Sequence, residues 1–98
     1  MAETVEDLTV AYSEGGVEVV KELDKAILTK GAWSTIVFRY REWDARKEAY
    51  GPDRYTIRRY QKRNDRYMPK AKFNISSADQ ARKLIDILSQ WTAEAGEG

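Results

Sequence analysis

The chain is 98 residues long, with 17 Lys/Arg against 16 Asp/Glu, a formal net charge of +1, and neither cysteine nor histidine. That length allows one domain with a small core. Disulfides are excluded, and a transition-metal centre lacks its usual ligands, which leaves oligomerisation as the remaining common way to reinforce the fold. No run of aliphatic or aromatic residues exceeds three, as in Ile36-Val37-Phe38. A spanning helix and the apolar segment of a secretion signal are therefore not expected, and the chain reads as cytoplasmic.

Charge is unevenly distributed along the sequence. Residues 1–24 carry seven acids and one base, residues 25–73 fourteen bases and five acids, and residues 74–98 four acids and two bases. The middle segment also holds nine of the eleven aromatic residues. Cations interleaved with rings suit an unpaired nucleic-acid strand, because the charges hold phosphates and the rings stack on exposed bases.

Residues 1–16 are acidic, lack a sustained apolar period and end in Glu14-Gly15-Gly16. They read as a flexible tail, one whose acids can compete with a polyanion for the basic segment. Residues 17–29 fit both a strand and a helical stripe through Val20, Leu23 and Ile27. The β-branched valines favour the strand, with a break near Asp24. Lys30-Gly31-Ala32 turns the chain.

Residues 33–43 give the clearest strand, with Ile36, Phe38 and Tyr40 on one face and Thr35, Val37, Arg39 and Arg41 on the other. A long link over 44–53 carries Arg46 and Lys47 and ends at Gly51-Pro52. The next strand, 55–62, places Tyr55 and Ile57 on one side, with Arg59 toward the core, and Arg58, Tyr60 and Lys62 on the other. A loop over 64–69 leads to a final strand, 70–75, with Ala71, Phe73 and Ile75 inward and Lys70, Lys72 and Asn74 outward. Ser76 and Ser77, with Asp79 or Gln80 reaching back, cap a helix with apolar positions at Ala81, Leu84, Ile85, Leu88 and Trp91. Residues 93–98 read as a second flexible tail.

Tyr-Thr-Ile-Arg-Arg-Tyr at 55–60, a polar loop with Met-Pro-Lys at 68–70, Phe-Asn-Ile-Ser at 73–76 and the capped amphipathic helix together resemble the core domain of the positive cofactor 4 coactivator family, more closely its small bacterial members. The resemblance covers about residues 17–92. It implies an α+β fold: a curved four-stranded antiparallel sheet followed by one C-terminal helix, paired into a homodimer through helices and sheet edges. Leu84, Leu88 and Trp91 would lie at that interface. It further implies binding of single-stranded DNA with little sequence preference, in transcription or DNA maintenance. Carried over by position, Arg58 matches a phosphate-holding strand arginine and Trp43 a base-stacking aromatic. Arg46 and Lys47 fall in a loop where the family has lysines, and either Lys70 or Lys72 matches a basic residue of the last strand. Gln61 stands where the eukaryotic protein has a stacking tryptophan, and Tyr60 stands where bacterial relatives place the ring.

The residues themselves, with Arg39, Arg41, Arg58 and Lys62 on neighbouring strands and few acids between them, also point to phosphate contact. An acidic protein partner and RNA are the alternative ligands, the latter because a stacking surface sees the same rings in both nucleic acids. An enzyme is not expected: there is no His or Cys, no glycine-rich phosphate loop and no carboxylate pair in an apolar run. Nor is a cofactor, a metal or a small-molecule substrate.

Overall fold

The structure, a computed structural model, describes residues 4–95. Strands β1 (Tyr12–Glu14), β2 (Val17–Thr29), β3 (Trp33–Asp44), β5 (Arg54–Arg63) and β6 (Arg66–Ile75) form an antiparallel path in the order β1-β2-β3-β5-β6, and the two-residue β4 (Ala49–Tyr50) pairs with the end of β3. Helix α1 (Ala78–Ala95) follows. The α+β class and the four expected strands are present, but the path has five strands, because the sequence before residue 17 is not a tail. Among the described residues no helix is long and apolar enough to cross a membrane, and no group of three or more potential metal ligands is found.

The N-terminal segment corrects the sequence reading most. Val5–Asp7 makes one 3-10 turn, and β1 then pairs with β2 through the two-residue turn Gly15-Gly16, whose φ angles of 59° and 82° suit glycine. Val5 and Leu8 are buried in one cluster with Ile36, Phe38, Tyr60 and Tyr67, and Val10 and Ile27 pack at its edge. Three apolar side chains spaced along an acidic segment are enough for it to lie on a sheet with its acids outward; summing composition over 1–16 hid them. Residues 1–3 of the expected tail lie outside the described residues. At the other end α1 continues to Ala95, past the expected boundary at 92, and 96–98 are likewise outside.

Hairpin geometry accounts for the remaining differences. The expected loop over 64–69 shrinks to Asn64-Asp65, with φ angles of 50° and 63°, the left-handed pair that Asn and Asp tolerate in a tight hairpin turn. β6 therefore starts at Arg66, and a bulge at Lys70 takes up the extra residue between the Arg59–Ala71 and Tyr60–Pro69 pairs. The break expected near Asp24 is a bulge at Leu23, with a second at Leu28, in a strand that runs on from Val17 to Thr29.

Cross-strand partners share a face, so the register sorts every strand residue. Ser34, Ile36, Phe38 and Tyr40 of β3 lie with Tyr60, Arg58, Thr56 and Arg54 of β5. We call this the arm face, since the N-terminal segment covers it. The opposite face carries Trp33, Thr35, Val37, Arg39 and Arg41 with Gln61, Arg59, Ile57 and Tyr55, and α1 begins over Val37, Tyr55 and Ile75. Sequence parity placed Tyr55, Ile57 and Arg59 toward the core; the register places them on this helix face instead. Arg59 escapes burial there by lying over the Trp33 ring, 4.5 Å from its centroid. Ile75 is buried beneath the start of α1, whereas Phe73, expected inward, is 57% exposed. Helix capping matches expectation: Ser77 Oγ accepts from the Gln80 amide at 3.1 Å, and Gln80 Oε1 accepts from the Ser76 amide at 2.9 Å.

Candidate nucleic-acid interface

The ten residues singled out for nucleic-acid contact fall into three groups. Arg58, Tyr60, Lys62, Lys70 and Lys72 belong to β5 and β6; Arg39 and Arg41 to the helix face of β3; Trp43, Arg46 and Lys47 to the end of β3 and the turn that follows. The single basic face expected from neighbouring strands is thus divided by the β3–β5 register. Arg39 pairs with Tyr55, not with Arg58, so Arg39 and Arg41 point away from Arg58 and Lys62.

The first group has the geometry of an anion site. Arg58 and Lys72 stand directly opposite each other on β5 and β6, a like-charge pair that destabilises a sheet unless an anion lies between or over the charges. Lys70, extruded at the bulge, borders the same shallow hollow of about 330 Å³ with Pro69 and Ala71. Among the described residues none of the five ion pairs involves Arg58, Lys62, Lys70 or Lys72. Arg58 is also oriented from below. The fully buried Thr56 donates to Asn74 Oδ1 at 2.8 Å, and Arg58 Nε donates to Thr56 Oγ1 at 3.2 Å. That leaves the terminal guanidinium nitrogens for a ligand, with the side chain's freedom already reduced. Thr56 and Asn74 were not among the candidates, since only the register brings them under Arg58.

Tyr60 occupies the same face but is 6% exposed, closed off by the N-terminal segment. Burial pushes its phenol above the usual range; Arg58 pulls the other way, and Glu22 adds to the rise. Lys62 is exposed at the edge, with Nζ 5.5 Å from the centroid of the buried Tyr67 ring.

The other two groups are compensated or enclosed. Asp53 accepts from Arg41 Nε at 2.6 Å and lies 3.8 Å from Arg39, while Asp24 stands opposite Arg39 on β2. Trp43 packs edge-on against Tyr50 at 5.1 Å, and the Tyr50 hydroxyl donates to Glu18 O at 2.8 Å. Arg46 and Lys47 follow Asp44, whose carboxylate accepts both of their amides, and they share an open cleft of about 680 Å³ with Trp43 and Arg54. This cleft keeps Trp43 near two cations, as the sequence suggested, but apart from Arg58.

Comparison of the chain with protein-family models, with curated proteins and with solved structures gives no match.

Proposed function

We propose that this chain binds single-stranded DNA, with little sequence preference, as a homodimer, and that Arg58, Lys70 and Lys72 hold the phosphates. The observation that carries the reading is the Arg58–Lys72 pair: two cations in register opposite each other, in none of the ion pairs among the described residues, with Arg58 aimed by Thr56 and Asn74. A sheet bearing such a pair suits a backbone whose phosphates recur along an extended strand, and Lys62 extends the track toward the hairpin turn. The composition of the middle segment supports it further, since fourteen Lys/Arg against five Asp/Glu over residues 25–73 attract a polyanion. The fold is compatible with the positive cofactor 4 resemblance in class and in its C-terminal helix.

Arg58→Ala is expected to weaken single-strand binding by roughly 1.5–3 kcal/mol, the range for hydrogen bonds to charged groups, or about ten- to a hundredfold. The slope of log K against log salt should fall by about 0.7 as one phosphate contact is given up. Anisotropy titrations of a labelled 20-nucleotide strand at four salt concentrations measure both quantities. An unchanged slope removes Arg58 from the interface. Thr56→Val gives a graded companion: it leaves the charge in place but frees the guanidinium, so affinity should fall less than in Arg58→Ala with the slope retained.

A further inference from the structure

The segment lying on the arm face occupies the place where bases would stack. The side chains beneath it, Tyr60 and Tyr67, are both aromatic, both buried, and are neighbours of Arg58 and Lys62 across the β5–β6 hairpin. An unpaired strand held at Arg58 and Lys72 would meet these rings next, were they not covered by Val5, Leu8 and Val10.

Beside the burial of Val5 and Leu8, the segment is held by polar contacts, several of them from the basic stretch. Lys25 Nζ donates to the carbonyls of Glu6 and Leu8 at 2.6 Å each and approaches Val5 O at 3.4 Å. Lys30 pairs with Glu6 at 2.6 Å. This contact holds the Glu6 carboxyl below its usual range and the Lys30 ammonium above its own. On the far side Glu22 accepts from the Thr9 hydroxyl and the Val10 amide. Its covalent link to the sheet runs through the three exposed residues of β1 and the Gly15-Gly16 turn, so lifting it means breaking these polar contacts and taking Val5 and Leu8 out of the core. Lifting it would free Lys25 and Lys30 and uncover two rings on the face that already carries Arg58.

We infer that residues 4–11 are an intramolecular occupant of the nucleic-acid face, an acidic arm that single-stranded DNA displaces, so that the fully engaged site includes Tyr60, Tyr67, Lys25 and Lys30. This rests on the reading of the chain as a single-strand binder and names its regulation. The arm lowers the apparent affinity by the fraction of molecules in which it is closed. By linkage, bound DNA opens the arm to the same degree.

Two measurements on the full-length chain test it. The first is hydrogen exchange of the unaltered protein with and without saturating 20-nucleotide oligo-dT, read over residues 5–14. The inference predicts at least tenfold faster exchange there when DNA is bound; equal or slower exchange at saturation overturns it. The second compares oligo-dT affinity of the unaltered chain with that of Val5→Ser/Leu8→Ser, which undocks the arm and keeps its charges. At least fivefold tighter binding is expected, and unchanged affinity in the folded variant counts against the arm. The exchange experiment needs no substitution, so it decides the matter even if the double variant does not fold. Binding with an arm that stays closed refutes this inference and leaves the function reading standing. No binding by either protein refutes both, whereas binding by the variant alone supports the arm most directly.

Discussion

Leu88→Asp combined with Trp91→Asp is expected to leave a chain that sediments at 11.3 kDa, where the unaltered protein is expected to sediment at twice that mass. Helix α1 has 18 residues and none is buried, although Leu84, Ile85, Leu88 and Trp91 form an apolar stripe and Trp91 is 64% exposed. A helix of this length extends about 27 Å, and without tertiary packing it is marginal in water. Only its first turns lie over the sheet, where Ala78, Ala81, Leu84, Ile85 and Leu88 border an apolar groove of about 370 Å³ with Val37, Tyr55 and Ile75.

Two further observations favour a second copy as the missing cover. Trp33 and Phe73 lie exposed on the same face of the sheet as the helix, so sheet and helix present apolar side chains on one side, where a twofold axis can pair them. The Cα radius of gyration is 15.6 Å, against about 12.6 Å for a compact domain of this length, and the molecule is a slab 17 Å thick. Two carboxylates in the stripe would have to be desolvated for the pair to form, so the variant should be monomeric at micromolar concentration and less helical by circular dichroism. A variant that remains a dimer moves the seam away from α1. An unaltered chain that sediments as a monomer removes the proposed assembly.

The second large effect is at the centre of the sheet. Phe38→Ala should cost roughly 3–5 kcal/mol, the usual range for a fully enclosed phenylalanine, out of a total that for a domain of this size is about 5–15 kcal/mol. Phe38 is 0% exposed, flanked by Lys25 on β2 and Thr56 on β5 and roofed by Val5 and Leu8. Urea denaturation at fixed protein concentration measures it. A loss below about 1 kcal/mol would mean that the N-terminal arm does not enclose the ring in solution. Phe73→Ala is the matched control: Phe73 is exposed in one chain, so its effect should appear as a change in how stability depends on protein concentration.

Much of the fold was legible because alternation and capping are local signals. Trp33–Asp44, Arg54–Arg63 and Ala78–Ala95 fall within a few residues of their expected places. The parts that were not legible depend on pairing. Whether Arg39 shares a face with Arg58 is decided by register, and a one-residue shift exchanges the faces of a whole strand. The bulge at Lys70 had the same effect on the last strand, placing Lys72, rather than Ala71, opposite Arg58. The N-terminal segment escaped notice because Val5, Leu8 and Val10 are diluted by acids, and because the lysine that holds it, Lys25, lies 17 to 20 residues away in sequence. Arg58 was identifiable in advance; Thr56 and Asn74, which orient it, became visible only once their strands were paired.

The most direct test of the central claim is a pair of anisotropy titrations with one labelled 20-nucleotide sequence, offered as a single strand and as a duplex at two salt concentrations. Binding through a cationic face backed by aromatic rings predicts tighter binding to the single strand at both salts, since only unpaired bases present their faces for stacking. Equal and weak binding to both forms, falling together as salt rises, would contradict it and reduce the Arg58–Lys72 face to a general polyanion surface.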